Sequence, residues 1–198
     1  MQAKPLVQID SHATATLRYI RACMDGAASI SVPGSAGYAM GAVGLSAAVL
    51  SSVSGLREHW FAIWLVAALL ATVLGGVLMA QPISLRGLAL SRAPARKFLM
   101  CLLPSLLGGA VLTAVLWGSG NMQAVAGTWL LLYGCALIPA SVSATSRIAV
   151  MGGLFIALSL PTFLLPHGLQ MLMLGAGFGG LHLLFGFLIG RSRYDREA

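Results

Sequence analysis

The chain has 198 residues and a net charge of +7; 58% of its residues are hydrophobic and only 9% are charged. Soluble domains carry about a quarter charged residues, so this composition excludes a soluble globular domain and predicts an integral membrane protein. The basic balance alone would also fit a nucleic-acid binder. The distribution of the charges along the chain favours a membrane surface instead, and no nucleic-acid partner is expected.

Residues 1–34 form the one long polar stretch, and we predict a cytoplasmic amphipathic segment there. A helix is expected to begin after Asp10, because Leu17, Ile20 and Met24 recur at helical spacing. It should end at the Ser-Val-Pro-Gly sequence of residues 31–34. Such a helix is typical of the membrane interface, and a soluble helix docked on the loops is the alternative.

Six apolar runs follow, and each is long enough to cross a membrane core of about 30 Å. The predicted fold is therefore an all-α integral membrane bundle of six transmembrane helices, preceded by the interfacial amphipathic helix. The predicted spans are 35–55, 60–81, 98–118, 123–143, 148–166 and 168–190, which together form a domain over residues 35–190. A five-span bundle is the alternative if 148–166 is re-entrant.

The Lys and Arg residues predict how the chain is oriented. Eleven of the twelve lie in the N-terminal segment, in the second connection (residues 82–97), in the fourth connection or in the tail 191–198. Only Arg57 lies on the opposite side. This asymmetry predicts that both termini are cytoplasmic.

The last span has the most regular pattern. Its glycines are spaced by seven and four residues, which puts them on one helix face together with His182. Paired small residues four apart allow a neighbouring helix to approach closely. We therefore predict a helix-packing seam made of Gly175, Gly179, His182, Gly186 and Gly190.

The first span repeats this pattern of small residues from Gly34 to Gly55. Close packing against the last span, or across a dimer axis, is the expected consequence, and a flexible gating helix is the alternative. Pro104, Pro139 and Pro161 lie inside predicted spans, where they are expected to kink the helix or free carbonyl groups.

His182 allows three interpretations. In the first, a neutral imidazole forms a hydrogen bond with a Ser, Thr or Tyr of a neighbouring helix, or with a carbonyl freed beside Pro104 or Pro139. In the second it lines the path of a proton or solute. The candidate lining of that path is His182, Ser105, Thr113, Tyr133 and Ser143. In the third it binds haem, which would require a second His182 across a two-fold axis.

Several segments of the chain together resemble a group of small bacterial multi-span membrane proteins that have no assigned activity. These segments are LRYIRACMD, SVPGSAGYAMG, PARKF, TWLLLYG and GFGGLHLLFG. The resemblance implies a bacterial inner-membrane location and a regulatory setting beside a winged-helix transcriptional regulator. It implies no catalytic residues.

No arrangement of nucleophile, base and acid, no phosphate loop and no paired carboxylates occur in the sequence, so we expect no enzyme activity, metal or cofactor. Glu58, His59 and His167 are weak candidates for a metal site. The function expected first is structural or regulatory, through helix contacts in the bilayer, with a homo-oligomer or a membrane or regulatory protein as partner. The alternatives are a carrier or channel for a neutral or hydrophobic solute and, after it, a haem- or quinone-linked redox protein.

Overall fold

The protein is all-helical wherever its structure is described. The computed structural model describes residues 14–20, 32–85 and 92–197, and these contain helices and no strands. Residues 14–20 are helical and are called α1. The remaining helices are α2 (Gly34–Ser52), α3 (Trp60–Leu85), α4 (Arg92–Gly118), α5 (Gln123–Ala140), α6 (Ser146–Thr162), α7 (His167–Leu174) and α8 (His182–Glu197). A π-helical stretch, Gly175–Leu181, joins α7 to α8 in one continuous C-terminal helix.

Five helices are long and apolar enough to cross a membrane. They are α2, α3, α4, α5 and the C-terminal helix from His167 to Arg191. The remaining apolar helix, α6, has 17 residues and is shorter than these five. A location in a membrane follows from these helices.

Several helices extend beyond the ends that the apolar runs predicted. The predicted connection 82–97 is helical up to Leu85 and again from Arg92, and the predicted tail is helical up to Glu197. The first span, in contrast, ends at Ser52 and not at residue 55. Polarity marks where a helix leaves an apolar environment, whereas backbone hydrogen bonding ends only where a turn or a breaker intervenes. Most of the predicted N-terminal helix lies outside the described residues.

The bundle has two distinguishable ends. At the basic end, Arg147 at the start of α6 donates a hydrogen bond to the carbonyl of Leu188 in α8. At the aromatic end, the rings of Trp60 and His167 lie 5.0 Å apart. Successive helices therefore run up and down between the basic end and the aromatic end.

The helix α6 runs antiparallel to α5 over its whole length. Near the middle, a Cβ added to Gly134 would lie 2.6 Å from the carbonyl oxygen of Gly152. At the aromatic end, the Gln123 side chain donates to the carbonyl of Leu165 at 3.4 Å. The core lies between α5, α6 and the C-terminal helix, where Leu130 and Phe155 are fully buried.

The helices α3 and α4 are neighbours in sequence but pack on different partners. Along their described residues, α3 packs on α2 and α4 packs on α5, with hardly any contact between the backbones of α3 and α4. The two helices meet at the aromatic end, where the rings of Phe61 and Trp117 lie 5.2 Å apart. A gap therefore separates α3 from α4 towards the middle of the bundle.

Candidate functional site: a cavity beside His182 and Tyr133

The four glycines of the predicted seam lie against α2 of the same chain. A Cβ added to Gly175 would lie 2.7 Å from the Ala48 side chain, and one added to Gly179 would lie 2.6 Å from Leu45. Towards the basic end, Gly186 meets Gly34 and Gly37 backbone to backbone, and Gly190 lies beside Gly34. Gly55, which the pattern of the first span includes, lies beyond the end of α2 with open space around it.

In each pair of adjacent glycines, one glycine (the packed member) lies against a neighbouring helix and the other (the open member) faces open space. A Cβ on Gly179 would clash with α2, whereas a Cβ on Gly180 would meet nothing within 4 Å. The same division holds for the three other pairs, in which the packed member is Gly75, Gly109 or Gly152 and the open member is Gly76, Gly108 or Gly153. Only one glycine of each pair is therefore needed for close approach.

The imidazole of His182 points away from the glycine seam. Its carbonyl oxygen faces α2 beside Gly37, but its side chain is directed to α5. His182 also directly follows the π-helical stretch, which the spacing of apolar residues did not predict. Such wide turns often occur at functional sites.

His182 forms a hydrogen-bonded pair with Tyr133 of α5. Its Nε2 lies 2.9 Å from the Tyr133 hydroxyl oxygen, and the side chain is 5% exposed. The ring of Phe178 stacks on the imidazole with an interplanar angle of 15°, and Phe155 contacts it edge-on at 5.7 Å. The imidazole is therefore enclosed by aromatic rings, with one polar partner.

The second ring nitrogen, Nδ1, is buried without a hydrogen bond. The carbonyls of Gly177 and Phe178 lie near it, but neither meets the geometry of a hydrogen bond with it. Two nearby carbonyl oxygens favour a proton on Nδ1 over a lone pair, so we assign the proton to that nitrogen. Nε2 is then the acceptor, and the Tyr133 hydroxyl donates to it.

A cavity of about 700 Å³ adjoins this pair. It lies between α2, α3, α4, α5 and the C-terminal helix, and extends from Trp60 at the aromatic end to His182. Its walls are apolar and aromatic, and all four tryptophans of the chain contribute to them: Trp60, Trp64, Trp117 and Trp129. Both its size and its lining are typical of sites that bind small molecules.

The polar atoms of the cavity wall are few. Thr113 donates to the carbonyl of Gly109 at 2.7 Å and accepts a hydrogen bond from Trp129 Nε1 at 3.0 Å. Thr72 donates to the carbonyl of Ala68 at 2.7 Å. The Nε1 of Trp64 is buried and has no acceptor. Among the described indole N–H groups of the wall, that of Trp64 is therefore the one that is buried without a hydrogen bond.

The structure brings together three of the five predicted path residues. His182, Tyr133 and Thr113 line the cavity, whereas Ser105 and Ser143 do not. Ser143 is buried in a short turn after α5, and Ser105 is half-buried in α4. Ser143 lies ten residues beyond Tyr133 towards the basic end, and Ser105 lies about 100° around α4 from Leu106, which lines the cavity.

Other candidate ligands do not converge. Among the described residues, no three His, Cys, Asp or Glu side chains are placed to hold a metal ion. His167 contacts the Trp60 ring edge-on, while Glu58 and His59 are exposed. Cys101 and Cys135 are free thiols, and Cys23 lies outside the described residues.

Sequence reasoning missed Gln170, which is 1% exposed at the aromatic end. Its Nε2 donates to the carbonyl of Gln123 at 3.0 Å and to that of Thr162 at 3.1 Å. The side chain thereby ties the start of α5 and the end of α6 to the C-terminal helix. Its signal was an amide inside an apolar run, four residues after the Pro166 breaker.

Comparisons of the chain with protein-family models, with curated proteins and with solved structures gave no match. The cavity and the His182–Tyr133 pair are therefore interpreted from their own chemistry.

Proposed function

We propose that this protein is a non-enzymatic, multi-pass membrane protein that binds a neutral, largely apolar molecule in the cavity and acts as a carrier for it. The observation that supports this most directly is the cavity itself. It has a volume of about 700 Å³, and its described lining contains no Asp, Glu, Lys or Arg. A charged ligand would lose its hydration there without gaining a counter-charge, which is costly.

The gap between α3 and α4 provides an entrance from the side. Ala68 and Thr72 of α3, and Ala110 and Ala114 of α4, line the cavity and are also exposed at the surface of the bundle. Their small side chains border the gap on both sides. A molecule dissolved in the bilayer would reach the cavity through this gap without passing through water.

The proposal includes a definite membrane topology of six spans with both termini cytoplasmic, in the inner membrane of a bacterium. It is supported by α6, which extends from the Arg147–Leu188 contact at the basic end to the Gln123–Leu165 contact at the aromatic end. Its 17 residues cover about 25 Å, and the residues up to Leu165 add to that length. The basic end would face the cytoplasm by the positive-inside rule.

We also propose that α1 lies in the cytoplasmic membrane interface. Leu17 is 66% exposed and Ile20 is 47% exposed, so neither side chain is covered by the bundle. Contact with lipid would bury both of them.

A scaffold that acts through its glycine faces is the second candidate. The glycine seam does not favour a scaffold function, because α2 of the same chain already packs against these glycines. A homo-oligomer or a regulatory partner would have to use another surface.

The decisive experiment blocks the entrance. Ala110→Trp would place an indole in the cavity mouth, whereas Val111→Trp places the same group on the outward face of α4, where Val111 is 63% exposed. Native mass spectrometry of gently extracted protein should show a bound apolar molecule in the wild type and in Val111→Trp, and none in Ala110→Trp. Equal occupancy of all three, or an empty wild type, would contradict the proposal.

A further inference from the structure

Aromatic side chains are concentrated around the cavity. Seven of its described lining residues are Trp, Tyr or Phe, including all four tryptophans, although aromatic residues make up only 8% of the chain. We propose that the ligand carries a planar, conjugated ring system that stacks on the indole of Trp129. This inference rests on the proposed binding function and specifies the ligand class of the same cavity.

A ligand of this cavity has to compete with the acyl chains of the bilayer. Because the gap between α3 and α4 opens to the side, acyl chains reach the same cavity. An apolar molecule that leaves the bilayer gains little from the hydrophobic effect, since lipid tails are as apolar as aliphatic side chains. The ligand must therefore make contacts with the cavity wall that a saturated chain cannot make.

Towards the middle of the bundle, hydrogen bonds offer little of this selectivity. The hydroxyl groups of the described lining already donate within the protein: Thr72 to the carbonyl of Ala68, Thr113 to that of Gly109, and Tyr133 to His182. The Nε1 of Trp64 is buried, and that of Trp129 donates to Thr113. What the wall offers beyond a saturated chain is aromatic ring surface.

The indole of Trp129 is held flat against α4. Its Nε1 donates to Thr113 Oγ1 at 3.0 Å. A Cβ added to Gly109, one turn earlier in α4, would lie 3.0 Å from Cη2, 3.0 Å from Cζ3 and 3.3 Å from Cε3 of the same indole. A point in the plane of the ring, outside its rim, cannot be so near to three consecutive ring atoms. Gly109 therefore lies over one face of the indole.

The opposite face of Trp129 has no ring partner. Each of the other aromatic residues of the described lining contacts at least one further ring, whereas no described ring contacts Trp129. Its side chain is half-buried and lines the cavity. Because α4 covers one face and Thr113 holds Nε1, the surface left for the cavity is the opposite face and the remaining rim. A conjugated ring stacked there gains more than the buried area alone provides.

Three probes with one bromine atom and the same number of carbon atoms test this inference. The first, 2-bromonaphthalene, is planar and aromatic; 2-bromodecahydronaphthalene has the same fused rings in saturated form; 1-bromodecane is a saturated chain. Each is titrated into purified protein in lipid nanodiscs, at equal concentrations in the lipid. Bromine quenches tryptophan fluorescence, and all four tryptophans line the cavity, so the half-saturating concentration of each probe can be measured.

We expect saturable quenching in the wild type. The aromatic probe should reach half-saturation at a concentration about 2- to 10-fold lower than the saturated ring probe, and 1-bromodecane should bind no more tightly than the saturated ring probe. Trp129→Leu should remove most of this difference between the two ring probes, with quenching normalised to the three remaining tryptophans.

A second pair of variants displaces the indole without changing any residue of the described lining. Gly109→Leu adds a side chain under the covered face of Trp129 and should reduce the difference between the ring probes. Gly108→Leu is the matched control, because a Cβ there meets nothing within 4 Å, and it should keep the full difference.

The negative outcomes have different meanings. Saturable quenching with equal affinity for the two ring probes would overturn the inference and leave the proposed function standing. Quenching that rises in proportion to concentration for every probe, without saturation, would overturn both. An unchanged difference in Trp129→Leu would show that other rings select the probe, and would also overturn the inference. If Trp129→Leu does not fold, equal differences in Gly109→Leu and Gly108→Leu would contradict it instead.

Discussion

His182 is an ionisable residue whose surroundings leave it only a neutral role. Aromatic rings enclose the imidazole, and its one hydrogen-bond partner is the Tyr133 hydroxyl. Among the described residues of its surroundings, none carries a charge that would stabilise an imidazolium. At the residue scale, the pair therefore orients Tyr133 towards the cavity and connects α5 to the C-terminal helix.

The side chains of His182 and Tyr133 should be energetically coupled. We expect Tyr133→Phe and His182→Ala each to lower the free energy of unfolding, with a coupling of about 0.6–1.7 kcal/mol between them, the range found for hydrogen bonds between transmembrane helices. A double-mutant cycle measured by denaturant titration in mixed micelles gives this coupling. Strict additivity of the two changes would show that the hydrogen bond contributes nothing.

Gln170 should contribute more than the exposed Gln123 side chain. Gln170→Met removes both donated hydrogen bonds and leaves two carbonyl groups without that donor; we expect a loss of about 1–3 kcal/mol in the free energy of unfolding. Gln123→Met removes one long, exposed bond and should change little. The same micelle titration compares them, and equal losses would contradict the role assigned to Gln170.

At the scale of elements, the bundle contains two different kinds of helix arrangement. Close backbone contact joins α2 to the C-terminal helix, where side-chain bulk is excluded. The pair α3 and α4 instead leaves a gap, since each helix packs on a different partner. A rigid seam thus lies beside a cavity wall that is incomplete on its outward side.

The seam should not tolerate added volume. Gly44→Leu would drive a side chain into the backbone at Phe178, where even a Cβ would lie 2.5 Å from the carbonyl oxygen. We expect it to lower the free energy of unfolding by about 1–3 kcal/mol or more. Gly76→Leu in α3 meets open space and is the matched control. Melting curves in detergent distinguish them, and similar melting temperatures would argue against the seam.

At the scale of the whole molecule, the path of α6 determines whether the number of crossings is five or six. In a Cys-free background, we expect Asn121→Cys and Leu164→Cys to react with a membrane-impermeant maleimide from outside intact cells. Thr145→Cys should react only after the membrane is opened, because it lies at the basic end. A re-entrant α6 would place Leu164 and Thr145 on the same side, so equal labelling of these two positions would refute six crossings.

Much of the architecture could be predicted from the sequence, because long apolar runs and Pro-Gly breakers determine where a chain crosses a membrane. The glycine seam could be predicted for a similar reason, because its glycines follow the helical repeat. They are Gly175, Gly179, Gly186 and Gly190. The sequence could narrow the hydrogen-bond partner of His182 only to a residue type. The register between two packed helices produces no periodic pattern in the sequence of either helix. The cavity could not be predicted, because it arises from the divergence of α3 and α4, which depends on their contacts with α2 and α5.

The divided glycine pairs have a consequence for how this sequence can drift in evolution. At Gly76, Gly108, Gly153 and Gly180 a methyl group meets open space, and alanine favours a helix more than glycine does. At Gly152 and Gly179 the same change would push against a neighbouring helix. Descendants of this chain should therefore readily lose the open glycine of a pair and keep the packed one. Selection would then act differently on two adjacent residues of the same type.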